Sequence, residues 1–227
     1  MTPGRLVPDS FEVEGSGRVS CHLIAPDGAR YGLTLAHGAG AGMDHPFMQH
    51  LAEALAAERV ATLRYQFPYT ERGSRRPDRA PVLINTVRAA VHTSKECFAG
   101  IPRFAGGKSM GGRMSSRAAA EGGLDVKGLT FFGFPLHPAG VPERAGERAT
   151  HLREVDLPML FLQGERDRLA ELDLLRPLCV SLAPLARLEV IPEADHGFHV
   201  PKRSGRSDRE VIAHLAYLTR QWMEHFT

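Results

Sequence analysis

The segment that most constrains this chain is Phe104-Ala-Gly-Gly-Lys-Ser109-Met-Gly-Gly112, a short strand-like run that breaks into glycines around one serine and then enters helix-compatible sequence. Gly107-Lys108-Ser109-Met110-Gly111 fits G-x-S-x-G, the pattern of a strained strand-to-helix turn that leaves a serine hydroxyl exposed. So sharp a turn crowds the residues two before and two after the serine, and only a residue without Cβ tolerates the approach. A phosphate-binding loop ending at Gly107-Lys108-Ser109 is excluded by spacing, because the glycine it needs five positions earlier is Pro102.

Flanking segments say what this turn is built into. Phe11 to Glu14 and Arg18 to Ala25, separated by Gly15-Ser16-Gly17, predict an antiparallel hairpin. Tyr31 to Ala36 reads as a buried strand that delivers the glycine-rich loop His37-Gly-Ala-Gly-Ala-Gly-Met-Asp44. A helix over Pro46 to Glu58, a strand over Val60 to Tyr65, a polar turn-rich stretch over Gln66 to Arg79 and a helix over Pro81 to Cys97 lead to the strand at Arg103 to Ala105. Beyond the turn, a small-residue helix over Gly111 to Gly122 and a strand over Val126 to Phe134 are expected. Pro135 to Asp156 reads as a loop with at most a short helix. A strand over Leu157 to Gln163, a helix over Leu169 to Leu182, a strand over Arg187 to Ile191 and an amphipathic helix over Asp208 to Phe226 complete the chain. Strands alternating with helices imply an α/β fold: a mostly parallel central sheet with helices on both faces, preceded here by the antiparallel hairpin. With no internal repeat or linker, residues 1–227 are expected to form a single domain.

Composition narrows the function classes. A formal charge of +2 argues against nucleic acid as a partner, and no stretch approaches a membrane span. The N-terminal run Met1-Thr-Pro-Gly-Arg-Leu-Val-Pro-Asp9 lacks the apolar core of a signal peptide. Cys21, Cys97 and Cys179 lie far apart in runs that read as buried, which suits a reducing compartment; a cytoplasmic protein is expected.

A serine hydroxyl is a poor nucleophile unless a base and an orienting acid reach it. Leu160-Phe-Leu-Gln-Gly-Glu-Arg-Asp167 and Ile191-Pro-Glu-Ala-Asp-His196 each run from an apolar strand to a candidate at the carboxyl edge of the sheet, where open α/β sheets bind ligands. Ser109 is therefore the expected nucleophile, His196 the base and Asp167 the acid. Taken singly, Asp167 also suits a helix cap before Leu169 and His196 a plain loop position; together, in order and each past a strand, they point to one site. Glu165 is an alternative acid, and His199 a spare base. Asp195 is too close in sequence to orient its neighbour's ring. Histidines at 22, 92, 214 and 225 show no zinc-ligand spacing, so neither metal nor cofactor is expected. A tetrahedral intermediate needs two preorganised donors, assigned to the backbone N–H groups of Met110 and Ala39, with His37, Gly38 and Gly40 lining the substrate side. His137, in Phe134-Pro-Leu-His137-Pro, is placed either to contact substrate or to serve as a turn or cap residue.

These motifs together resemble the α/β-hydrolase superfamily, specifically a small lidless branch near the dienelactone hydrolases that also holds a testis-expressed protein and a subunit of a nonspecific-lethal chromatin complex. The resemblance spans almost the whole chain: Leu35-Ala-His-Gly-Ala-Gly-Ala-Gly-Met-Asp44, Leu63-Arg-Tyr-Gln-Phe-Pro-Tyr69, Arg75-Arg-Pro-Asp78, Gly106-Gly-Lys-Ser-Met-Gly-Gly112, Phe132-Gly-Phe-Pro-Leu-His-Pro138 and Leu162-Gln-Gly-Glu-Arg-Asp167. It implies the order serine, aspartate, histidine at Ser109, Asp167 and His196, and an open site with no large cap domain. True dienelactone hydrolases carry a cysteine nucleophile where this chain has Ser109, so their substrate does not carry over. The leading expectation is a serine hydrolase acting on a small carboxylic ester or thioester. A non-catalytic interaction module that kept the fold is the alternative, and a peptidase would want a larger cap. Arg72, Arg75, Arg76 and Arg79 favour an anionic substrate or partner, unless Glu71 and Asp78 merely make this a solvated loop.

Overall fold

The computed structural model describes residues 8–226, so the leader reading, which rests largely on residues 1–7, falls mostly outside the described residues. Strands β1 (Ser10–Val13) and β2 (Gly17–Ile24) form the expected antiparallel hairpin, with Ser10 opposite Ser20. Next come β3 (Tyr31–Ala36), helix α1 (Pro46–Ala57) and β4 (Val60–Tyr65). A short helix α2 (Pro68–Glu71) and the long α3 (Ala80–Cys97) then lead into β5 (Arg103–Lys108). Proline in the first turn of all three helices fits there, because the N–H it lacks has no partner in a first turn. After β5 come α4 (Met110–Ala120), β6 (Leu129–Phe132), a short α5 (Ala145–Ala149), β7 (Met159–Gly164), α6 (Leu172–Ser181), β8 (Ala186–Ile191) and α7 (Asp208–Met223).

The strands join in the order β1-β2-β4-β3-β5-β6-β7-β8. Neighbours from β4 to β8 are parallel, and β2 runs antiparallel to β4. Central strands are buried on both faces, and their residues alternate between two cores. Leu33, Leu35, Phe104, Phe132, Leu160 and Leu162 face α1 and α7, meeting Leu51, Leu55, Val211, Leu215 and Trp222. Ala61, Leu63, Ala105, Phe131, Met159 and Phe161 face α3, α4 and α6, meeting Leu83, Val87, Met114 and Leu175. Each large side chain so buried contributes roughly 2 kcal/mol, so a one-residue slip in register would forfeit a whole row. The closing helix α7 starts at a capping box: Ser207 Oγ accepts from the Glu210 N–H while the Glu210 carboxylate accepts from the Ser207 N–H. Among the described residues no helix is long and apolar enough to cross a membrane.

Several boundaries differ from the sequence pattern: β5 runs on to Lys108, β7 begins at Met159, and the stretch expected to be turn-rich holds α2; two further differences have a visible side-chain cause. The strand expected over Val126 to Phe134 is confined to Leu129–Phe132, because the Phe134 N–H leaves the ladder to donate to the side chain of Gln163 at 2.9 Å. The helix expected from Leu169 begins at Leu172, because the Leu169 N–H is captured by the Asp167 carboxylate at 2.8 Å.

The turn between β5 and α4 lies at the middle of the sheet. A Cβ on Gly107 would stand 2.3 Å from the carbonyl oxygen of Ala36, and one on Gly111 would stand 2.5 Å from the same atom. Backbone so placed has no room to yield. Gly111→Ala and Gly107→Ala are each expected to lower unfolding free energy by about 3 kcal/mol or more, measured by urea denaturation; a loss below ~1 kcal/mol would show that the turn does not depend on this contact.

Candidate active site

Ser109 occupies the tip of that turn with φ +51° and ψ −114°, a conformation that costs a non-glycine residue on the order of 1–3 kcal/mol and is retained because the surrounding packing fixes it. Its own N–H donates to the Phe132 carbonyl at 3.1 Å, pinning the turn to β6. Its Oγ lies 2.9 Å from Nε2 of His196, whose Nδ1 lies 2.7 Å from Oδ2 of Asp167. With the Asp167 carboxylate as acceptor, the ring proton sits on Nδ1, and Nε2 faces the hydroxyl as an acceptor. The three sequence candidates thus meet in one hydrogen-bonded chain drawn from three strand ends.

Asp167 is buried and fully engaged. Oδ2 also accepts from Gln163 Nε2, and Oδ1 accepts from the Leu169 N–H at 2.8 Å. Glu165, the alternative acid, points elsewhere: it is exposed and accepts from the Glu193 N–H at 2.7 Å, bracing the loop that carries His196. Asp195 braces the same loop, its Oδ1 accepting from the N–H groups of Gly197 at 2.8 Å and His199 at 3.0 Å. His199 is exposed and pairs with Asp208, whose carboxylate raises its pKa, so it has no part in the chain.

The glycine-rich loop lies against the turn, with Gly38 close enough that a Cβ there would contact the Cβ of Ser109 at 3.7 Å. The Gly40 N–H donates to the Tyr69 hydroxyl at 3.2 Å and that of Ala41 to the Gly38 carbonyl at 3.3 Å. Ala39 is exposed, and its N–H has no acceptor among the described residues. Met110 opens α4, so its N–H has no acceptor within the helix. Buried Arg64 and Gln66 hold the far end of the loop, Arg64 donating to the Met43 carbonyl at 3.0 Å and Gln66 accepting from the Met43 N–H at 3.1 Å.

Two expected contact residues are placed differently. His37 is buried beneath the loop, accepting the Phe67 N–H at Nε2 (3.2 Å) and donating from Nδ1 to the Gly38 carbonyl (2.8 Å). Burial pushes its pKa down to about 4, so it stays neutral and shapes the loop from below instead of facing a substrate. His137 is likewise buried, with Nε2 against the Glu171 carboxylate and Nδ1 2.8 Å from the Pro138 carbonyl, which leaves the turn-and-cap role. In the arginine loop, Arg72 is paired with Asp78 at 2.6 Å, while Arg75, Arg76 and Arg79 are exposed.

Sequence reasoning passed over two residues. Gln163, a buried amide at the end of an apolar strand, links Asp167 to the backbone of Phe134. Lys108, next to the serine in sequence, places its ammonium group beside the stacked rings of Phe47 and Phe198 (5.8 and 5.5 Å to the centroids), and Nζ donates to the His196 carbonyl at 2.6 Å. A buried amide in a strand is a readable signal; the lysine gives none, since its partner lies 88 residues away.

A family model for the α/β-hydrolase domain matches residues 29–224, and the chain belongs to that family. Solved structures agree in fold. A dienelactone hydrolase from Anabaena variabilis superposes with a TM-score of 0.77 at 22% identity, covering 100% of this chain and 99% of that one. A serine hydrolase without a lid from Xanthomonas campestris gives 0.74 at 18% identity, covering 98% and 97%. Est1E from Butyrivibrio proteoclasticus, with ferulic acid bound, gives 0.71 at 16% identity, covering 96% and 98%.

Burial drives the Lys108 ammonium down to a pKa of about 8, against the opposing pull of Asp167 and Asp195. Between that value and the unshifted 10.5 the unfolded chain holds a proton that the folded chain has lost, so this group's contribution to stability rises with pH across the window. The ε-carbon resonance of Lys108, identified by its loss in Lys108→Met, is expected to titrate near pH 8. A midpoint near the ordinary lysine value of about 10.4 would contradict the enclosure of this ammonium group.

Proposed function

We propose that this protein is a serine hydrolase that cleaves small carboxylic esters or thioesters through an acyl-enzyme. The observation that carries the reading is the unbroken chain from Ser109 Oγ through the His196 ring to the buried Asp167 carboxylate, at 2.9 and 2.7 Å. Ser109 Oγ attacks the substrate carbonyl carbon as His196 Nε2 takes the hydroxyl proton. Asp167 holds the tautomer and stabilises the imidazolium that forms. Negative charge collects on the former carbonyl oxygen, between the N–H groups of Met110 and Ala39, and the positive end of α4 adds to their field.

Collapse of the tetrahedral intermediate breaks the bond to the alkoxide or thiolate, which leaves with the proton from His196. Water then attacks the acyl-enzyme, His196 takes its proton, and the carboxylic acid departs as Ser109 regains its hydrogen. No cofactor enters this scheme. An open site suits it: the His196 side chain is 27% exposed, and the segment after β6 adds only α5 and two 3-10 turns. The interaction-module alternative gives no reason for a strained serine and a buried carboxylate to be kept in register.

Steady-state hydrolysis of acetyl and butyryl p-nitrophenyl esters tests the roles. Ser109→Ala is expected to abolish turnover while leaving the melting temperature unchanged or higher, since the hydroxyl packs into no core. Asp167→Asn is expected to lower kcat by on the order of 10⁴-fold through the wrong imidazole tautomer, and Glu165→Gln by far less. The reverse ranking of the two acids, or turnover surviving in Ser109→Ala, would contradict the assignment.

A further inference from the structure

One face of α4 carries Arg113, Ser116 and Arg117 at helical spacing and packs against the segment that follows β6. Arg113 is one turn beyond the serine; its N–H donates to the Ser109 carbonyl at 3.1 Å. Helical side chains lean toward the N-terminus, so a long one at this position reaches back toward the elbow. The facing segment leaves the sheet at Gly133, where a Cβ would stand 3.4 Å from Nδ1 of His196. Arg113 thus stands one helical turn from Ser109, on the face of α4 that packs against the segment leaving the sheet beside His196.

The Arg113 guanidinium is half-buried and makes no hydrogen bond among the described residues; its Nε is wholly enclosed without a partner. Its charged neighbours are Arg148 of α5 and Arg117, both of its own sign. Arg148 is also part-buried and makes no ion pair among the described residues. The nearby carboxylates are engaged elsewhere: Glu147 is held by Arg144 at 2.8 Å and Glu121 by Arg117 at 3.2 Å. His151 adds no negative charge; its Nε2 lies 2.7 Å from Ser116 Oγ, and burial with Arg113 and Arg117 nearby keeps it neutral, its pKa lowered to about 4. A partly desolvated guanidinium near a second positive charge, with no ion pair of its own, is unfavourable in the free protein. It becomes favourable when a compact anion lies between them, where two forked donor sets suit carboxylate or phosphate.

We propose that Arg113 and Arg148 form a subsite for a compact anionic group, carboxylate or phosphate, carried by the substrate a short chain away from the carbonyl that Ser109 attacks. Its substrate assignment rests on the ester-hydrolase reading; the anion site itself does not. The anionic substrate expected from the exposed 72–79 loop is thereby assigned to two guanidinium groups that make no ion pair among the described residues.

Two arms test it. In thermal unfolding at constant ionic strength set with chloride, glutarate, inorganic phosphate or both are expected to raise the melting temperature of the wild-type protein by about 2 °C or more. Arg113→Gln, and separately Arg148→Gln on the other element, are expected to lose that shift. Arg113→Gln without ligand should melt no lower than wild type, because an unpaired charge has been removed. Which anion acts distinguishes a carboxylate from a phosphate ligand. In the second arm the wild type is expected to prefer mono-p-nitrophenyl glutarate over p-nitrophenyl butyrate by roughly tenfold or more in kcat/KM if the ligand is a carboxylate, and each variant to lose most of that ratio. Absence of stabilisation by either anion, or a shift that survives in both variants, would overturn the subsite. Ester hydrolysis with no anion effect would overturn it while leaving the hydrolase reading intact; an anion effect without hydrolysis of any ester would do the opposite.

Discussion

The site depends on the close approach of two glycines to one carbonyl. Gly107 at the end of β5 and Gly111 in the first turn of α4 both close on the oxygen of Ala36, the last residue of β3. That contact fixes the serine turn against the strand that feeds the glycine-rich loop. The two N–H groups assigned to the oxyanion, Met110 and Ala39, come from opposite sides of it. Their spacing is therefore set by backbone packed on backbone, where a shift of even half an ångström has nowhere to go. His37, neutral and buried, supports the loop from below, and Arg64 and Gln66 hold its far end at Met43.

Electrostatics divide the imidazoles by role. His37 and His151 are held neutral by burial and serve as fixed hydrogen-bonding elements. His196 alone connects a half-exposed serine to a buried carboxylate. Its loop is held by several independent devices: Asp195 and Glu165 accept its backbone N–H groups, and the Lys108 ammonium donates to the carbonyl of His196 itself. Lys108 follows Gly107 directly, so the residue that precedes Ser109 also holds the loop of His196. A lysine beside two stacked aromatic rings suits this role because both rings attract its charge.

Much of this was legible in the sequence where the signal is local. Strands β3 and β4 have the expected bounds, because largely apolar runs buried on both faces are flanked by Arg30 and His37 and by Arg59 and Gln66. That Ser109, Asp167 and His196 would be candidates for one site was legible because each stands just past a strand-like run, and the structure brings the three into one hydrogen-bonded chain. What escaped depends on contacts distant in sequence. Whether His37 faces the substrate or the interior is decided by Phe67 and Thr70, some thirty residues on. The end of β6 is decided by the Gln163 side chain, and the isolation of Arg113 by which carboxylates Arg117 and Arg144 have already engaged. Periodicity carries no information about such competition.

The central claim is that Ser109 is activated by His196 in a preorganised site. A fluorophosphonate probe followed by peptide mass spectrometry tests it most directly, because phosphonylation needs the activated hydroxyl and the oxyanion donors but no knowledge of the substrate. The account predicts one covalent adduct per chain, located on Ser109 and lost in His196→Ala. No adduct would contradict it. So would an adduct on Ser116, whose Oγ lies 2.7 Å from Nε2 of His151.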